Sequence, residues 1–129
     1  MRYALLIYVE PWESTPEQDV EVMKSYNAFS ADAVAADVMR GGEALHESKT
    51  ATSVRVRNGQ TLVTDGPFAE TKEEFGGFYL IEAADLDEAI KWAAKIPGAA
   101  RGTIEIRPVV DFPQNSDSGE PMPTGIGAG

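Results

Sequence analysis

A chain of 129 residues with 43% hydrophobic residues is the size of one domain and can bury a core of its own. Its 21 acidic against 11 basic residues give a formal net charge of −10, which repels polyanions and argues against nucleic acid or an anionic membrane as a primary partner. There is no cysteine, so disulfides, thiolate nucleophiles and cysteine-held zinc or iron–sulfur centres are excluded.

Residues 2–9 form an apolar, β-rich run in which both alternating sets are apolar: Tyr3, Leu5, Ile7 and Val9 on one side, Ala4, Leu6 and Tyr8 on the other. A strand wet on one side alternates with polar residues, so this one is expected to be covered on both faces. With a single Arg2, an early Glu10 and no small-residue cleavage site, the run reads as a strand rather than an export signal, and the expected location is the cytoplasm. No apolar stretch approaches the roughly 18 residues of a membrane-spanning helix.

A helix follows. Thr15 suits the N-cap, Pro16 the first helical position, and Gln18 completes a capping box. Val22, Tyr26, Phe29, Ala33 and Ala36 recur at helical spacing and make a stripe for the core, and Gly41-Gly42 predicts an end near Arg40. Residues 43–50 read as irregular. Asn58-Gly59 between two short β-type runs is a hairpin signal. A two-residue loop pairs Val56 with Thr61 and Val54 with Val63 on one face, the expected core face. It pairs Arg55 with Leu62 and Arg57 with Gln60 on the other.

Gly76-Gly77 then admits the strand Phe78-Tyr79-Leu80-Ile81, apolar on both sides. A second helix starts at Asp85, with Asp85 and Glu88 as a capping-box-like pair. Leu86, Ala89, Ile90, Ala93 and Ala94 form its stripe, and Pro97-Gly98 stops it. A last strand covers about 103–109, Ile104 and Ile106 inward, Thr103, Glu105 and Arg107 outward. The ordered domain is expected over 1–110, with 111–129 as a disordered Pro- and Gly-rich tail.

This order predicts an α+β fold, a ferredoxin-like β-α-β-hairpin-β-α-β sandwich with the two doubly apolar strands at its centre. Helices cover only one face of such a sheet. A second copy packing sheet to sheet, burying Leu6, Tyr8, Tyr79 or their alternates, is the expected cover for the other.

The stretch Thr61-Leu62-Val63-Thr64-Asp65-Gly66-Pro67-Phe68-Ala69-Glu70-Thr71-Lys72-Glu73, followed by Gly76-Gly77-Phe78-Tyr79-Leu80-Ile81, resembles the signature of the DGPF branch of the YCII-related proteins. Tyr3-Ala4-Leu5-Leu6-Ile7-Tyr8 and Ala94-Lys95-Ile96-Pro97 fit the same pattern. The resemblance implies a dimeric α/β barrel of two ferredoxin-like subunits. In the wider family a His–Asp pair is the suggested catalytic element. His46 and Asp65 are the candidate pair here, though His46 is not matched to the family's histidine position. The resemblance also implies association with extracytoplasmic-function sigma factors.

Read from the residues themselves, Asp65 either caps its own turn or stands at a pocket mouth as a general base. Pro67 stops the strand ladder. His46, the single histidine, is either a loop residue or an acid/base helper near neutral pH. Glu70 and Lys72 are a substrate clamp or solvated charges. Arg55 and Arg57 bind an anionic ligand, pair with acidic residues of a partner subunit or, the better expectation in so acidic a chain, pair internally with carboxylates. Tyr8, Tyr79 and Phe78 line a cavity or fill core and interface. One histidine and no cysteine make a His-rich metal site impossible within a subunit, and no EF-hand spacing occurs. No P-loop, Rossmann fingerprint or Gly-x-Ser-x-Gly elbow is present, so no cofactor is expected.

Two functions remain. The first is a homodimer that binds or transforms a small organic molecule in a pocket between sheet and helices, with Asp65 as acid/base. The second is a non-catalytic module whose acidic surface meets a sigma factor.

Overall fold

The computed structural model describes residues 1–112. The expected tail therefore lies outside the described residues except for Asp111, which accepts a 3.1 Å hydrogen bond from Arg2, and Phe112. Six strands and two helices follow in the order β1 (Arg2–Val9), α1 (Pro16–Ala35), β2 (Met39–Ala44), β3 (Thr52–Arg57), β4 (Gln60–Asp65), β5 (Glu74–Glu82), α2 (Leu86–Ala94) and β6 (Thr103–Pro108). Single 3-10 turns lie at Ser48–Thr50 and Pro97–Ala100.

The main sheet is antiparallel in the order β2-β5-β1-β6, the ferredoxin-like arrangement with the β3–β4 hairpin inserted as a second, two-stranded sheet. The two doubly apolar strands, β1 and β5, are the central ones, as their composition requires. Their pairing Leu5↔Tyr79 and Tyr3↔Ile81, with Leu5↔Ile106 and Ile7↔Ile104 across β6, defines the face beneath the helices. Leu5 and Ile81 there are fully buried, and Phe29 and Ala33 of α1 with Ala89 and Ala93 of α2 complete the core. The opposite face carries Ala4, Leu6 and Tyr8 beside Leu80, Phe78 and Phe75, all half-buried. Tyr79 thus belongs to the helix face, not with Leu6 and Tyr8 as its expected grouping had it. A residue's face follows from the cross-strand partner, and Tyr79 is opposite Leu5.

The helix caps form as the sequence implies. Thr15 Oγ1 accepts from Gln18 N at 3.1 Å, and Gln18 Oε1 accepts from Thr15 N at 2.9 Å. Helix α1 nevertheless stops five residues short of Arg40. Asp37 adopts φ 58°, while Val38 N bonds Ala33 O and Asp37 N bonds Val34 O, a Schellman closure with an aspartate where glycine is usual. Gly41-Gly42, expected to stop the helix, lies instead within strand β2, whose last two residues Glu43 and Ala44 belong to the segment expected to be irregular. In α2, Leu86 and Ile90 are exposed rather than part of the stripe, and half-buried Trp92 packs instead against Phe29, ring centroids 6.2 Å apart.

The hairpin has the register its Asn-Gly turn dictates: Arg57↔Gln60, Val56↔Thr61, Arg55↔Leu62 and Val54↔Val63. Asn58 at φ 52° and Gly59 at φ 75° supply the two positive dihedrals that such a turn needs. Its expected core face is not in the core. Val54, Val56 and Val63 are each about 60% exposed, because the hairpin forms its own sheet. Arg55 and Arg57 make no ion pair among the described residues, against the expectation of internal pairing.

Candidate ligand-binding site

The principal cavity, about 540 Å³, lies between the helix face of the sheet, the N-terminal half of α1 and the turn after α2. Ile7 and Val9 of β1, Val22 of α1 and Pro97 supply apolar walls. The β2–β5 edge contributes Gly42, Glu43 and Ala44 opposite Gly76, Gly77 and Phe78. Glycines make room here. The ladder slips between Ile7 and Tyr8, leaving Gly76 as an extra residue in β5. At Gly77 a Cβ would lie 2.8 Å from the Glu43 carbonyl oxygen, so no other residue fits without displacing β2.

Polar groups gather at one end. Tyr26 of α1 points its hydroxyl at Gly98, and Tyr79 reaches toward Ser30, oxygen to oxygen 3.4 Å, with its ring 4.9 Å from that of Phe29. Burial raises the Tyr26 pKa above 10.0, the nearby Tyr79 adds to the rise, and the Gly98 backbone and Arg101 partly offset it. The phenol is therefore neutral at ordinary pH and remains a hydrogen-bond donor. The Arg101 guanidinium carbon lies over the Trp12 ring, 3.9 Å from its centroid, and both residues line the cavity.

Of the candidate site residues named from the sequence, Tyr79 and Phe78 line this space. Tyr8 is on the other face of the sheet, its ring 5.5 Å from that of Phe75. Asp65 ends β4 opposite Thr52 and is exposed. Its carboxylate makes no hydrogen bond or ion pair among the described residues, so the turn is closed by other groups: Gly66 N bonds Ala51 O at 2.7 Å, and Ser53 Oγ donates to Gly66 O at 2.8 Å. Glu70 and Lys72 are exposed and likewise unpaired, and Arg55 is on the hairpin. His46 lines a second cavity of about 450 Å³ with Ser48, Ser53, Pro67, Phe68 and Phe75. Asp65, Lys72 and His46 thus do not converge on one cavity. Tyr26, Trp12, Arg101 and Gly98 are the residues that sequence reasoning left out of the site. Tyr26 read as core stripe and Gly98 as a helix stop, and neither Trp12 nor Arg101 stands in a motif.

Among the described residues no three histidine or acidic side chains cluster in a way that would hold a metal ion, and no helix is long and apolar enough to cross a membrane.

This arrangement can be set beside known proteins. The sequence model of the YCII-related domain matches residues 1–113. The chain belongs to the YCII-related family. An uncharacterized protein of Rhizobium meliloti (strain 1021) is 38% identical over 116 residues, covering 84% of this chain and 92% of the relative. Among solved structures, 5-chloro-2-hydroxyhydroquinone dehydrochlorinase from Burkholderia phenoliruptrix, in complex with 2,5-dihydroxybenzoquinone, matches with a TM-score of 0.50 at 12% identity. The match covers 87% of this chain and 96% of that one. At that identity the similarity shows a shared α+β fold. In this YCII-related chain, the signature contributes to the principal cavity through Gly76, Gly77, Phe78 and Tyr79, and to the second through Pro67 and Phe68.

Proposed function

We propose that this YCII-related protein binds a small organic molecule in the principal cavity and acts as a homodimer. The cavity carries the first part. Its 540 Å³ falls within the roughly 300–1,000 Å³ of small-molecule sites, and apolar walls with a few convergent polar groups are their usual form. A regulatory module that only docks a sigma factor needs no such space, which favours the ligand reading. The solved neighbour is a dehydrochlorinase in complex with 2,5-dihydroxybenzoquinone, a small ring compound in keeping with a cavity of this size.

The homodimer rests on the uncovered sheet face. Leu6, Tyr8, Phe78 and Leu80 lie where no helix among the described residues reaches, and the hairpin adds exposed Val54, Val56 and Val63. A two-fold second copy would bury both sets. Within this reading an acid/base role for His46 and Asp65 attaches to the second cavity, which His46 lines and whose Pro67 and Phe68 follow Asp65.

The test of binding is a small-molecule screen by thermal shift and ligand-observed NMR on the native chain and on Ala44→Trp. Ala44 is exposed on an edge strand and lines the cavity, so tryptophan there should occupy it and leave the fold intact. Compounds that bind both proteins equally would place the ligand elsewhere.

A further inference from the structure

We propose that the principal cavity selects a small monoanion with an apolar, ring-sized body, and that Arg101 reads its charge. This rests on the cavity being the ligand site. Arg101 lines the cavity while exposed to solvent, and in a chain with 21 acidic residues it has no carboxylate partner among the described residues. Its guanidinium is held by an aromatic face instead: Trp12 lies against it at 3.9 Å. With the Trp12 ring against its centre and no side-chain hydrogen bond among the described residues, the guanidinium keeps its N–H donors for a carboxylate or an ionised enol or phenol.

The backbone fixes where the fork starts. Arg101 N bonds Gly98 O at 3.1 Å, so Arg101 is anchored to the same turn that meets the Tyr26 hydroxyl. The phenols of Tyr26 and Tyr79 stand on this side of the cavity as further donors to an oxyanion. Among the described residues, Glu43 is the one acidic residue lining the cavity. By register it pairs with Phe78, whose side chain shares the far face of the sheet with Leu6. Its carboxylate is therefore directed away from the Tyr26–Arg101 end. The rest of the lining, Ile7, Val9, Val22 and Pro97, has no polar side-chain atom and suits an apolar ring.

The experiment titrates the native chain with a panel of ring-bearing carboxylic acids, from benzoate to naphthoate, each beside its matched uncharged amide. The readouts are the Trp12 indole and Tyr26 ring NMR signals. The expected result is acids binding roughly tenfold or more tighter than their amides, with Arg101→Gln bringing the acid-to-amide affinity ratio close to one. Acids and amides binding alike, or a preference that survives Arg101→Gln, would overturn the anion proposal while the cavity stands as the site. Failure of every acid and amide to perturb the Trp12 and Tyr26 signals would overturn the site and the proposal together.

Discussion

The Tyr26 hydroxyl and the Gly98 backbone meet so closely that a Cβ at position 98 would lie 2.8 Å from the phenolic oxygen and 3.1 Å from Ile7 Cγ2. The glycine is thus a spatial requirement of the tyrosine. In Gly98→Ala either the ring or the turn must move, and overpacking of this kind costs about 1–3 kcal/mol. Urea denaturation should show that loss, and NMR should show a displaced Tyr26 ring. Unchanged stability would mean the turn has slack that the structure does not suggest.

Tyr26 also predicts an alkaline signature. Its pKa is raised in the folded chain, chiefly by burial, so above the ordinary 10.0 the unfolded chain releases this proton while the folded chain keeps it. The contribution of Tyr26 to stability is therefore constant below pH 10 and falls as pH climbs from 10 toward the raised folded value. Tyr26→Phe should remove that part of the decline. Parallel pH–stability curves for the two proteins above pH 10 would contradict the assignment.

The uncovered sheet face makes a prediction about size in solution. Sedimentation should report twice the 13.9 kDa chain mass, and Leu6→Lys or Val56→Lys should shift the population to the single chain. Val56 is about 60% exposed in the protomer, so its substitution alone should change protomer stability by no more than about 0.5 kcal/mol. A native chain sedimenting as a monomer would count directly against the dimer.

Asp65 and His46 offer a contrast. Both are exposed and neither lines the principal cavity. Asp65→Asn and His46→Ala should leave acid binding at Trp12 and Tyr26 unchanged and stability within about 0.5 kcal/mol. A loss of that binding in either variant would show that the two regions communicate.

Local chemistry was legible in the sequence and distant placement was not. The Asn58-Gly59 register, the Thr15–Gln18 box and the central positions of β1 and β5 all follow from residues close in the chain or from the two-sided apolarity of one strand. The end of α1 was misread because Asp37 takes a left-handed conformation for which glycine was the expected signal. The hairpin valines looked like core because alternation reports a face and not what that face meets. The cavity was hidden for a similar reason. Its lining spans Ile7 to Arg101, and its room comes partly from Gly76, Gly77 and Gly98, residues with no side chain to announce a site.

The extra residue at Gly76 carries one more consequence. Phe75 and Phe78 are three positions apart, an odd spacing that a regular pleat sends to opposite sides, yet they pair with Tyr8 and Leu6 on the same side. The surplus length is taken up along the cavity wall, where a bulged strand bends. Shortening the chain there by one residue would preserve both phenylalanines' sides and straighten the strand under the cavity. The dimensions of the binding space are then governed by a count of peptide units, a property that point substitution leaves untouched and that a single-residue deletion would change at once.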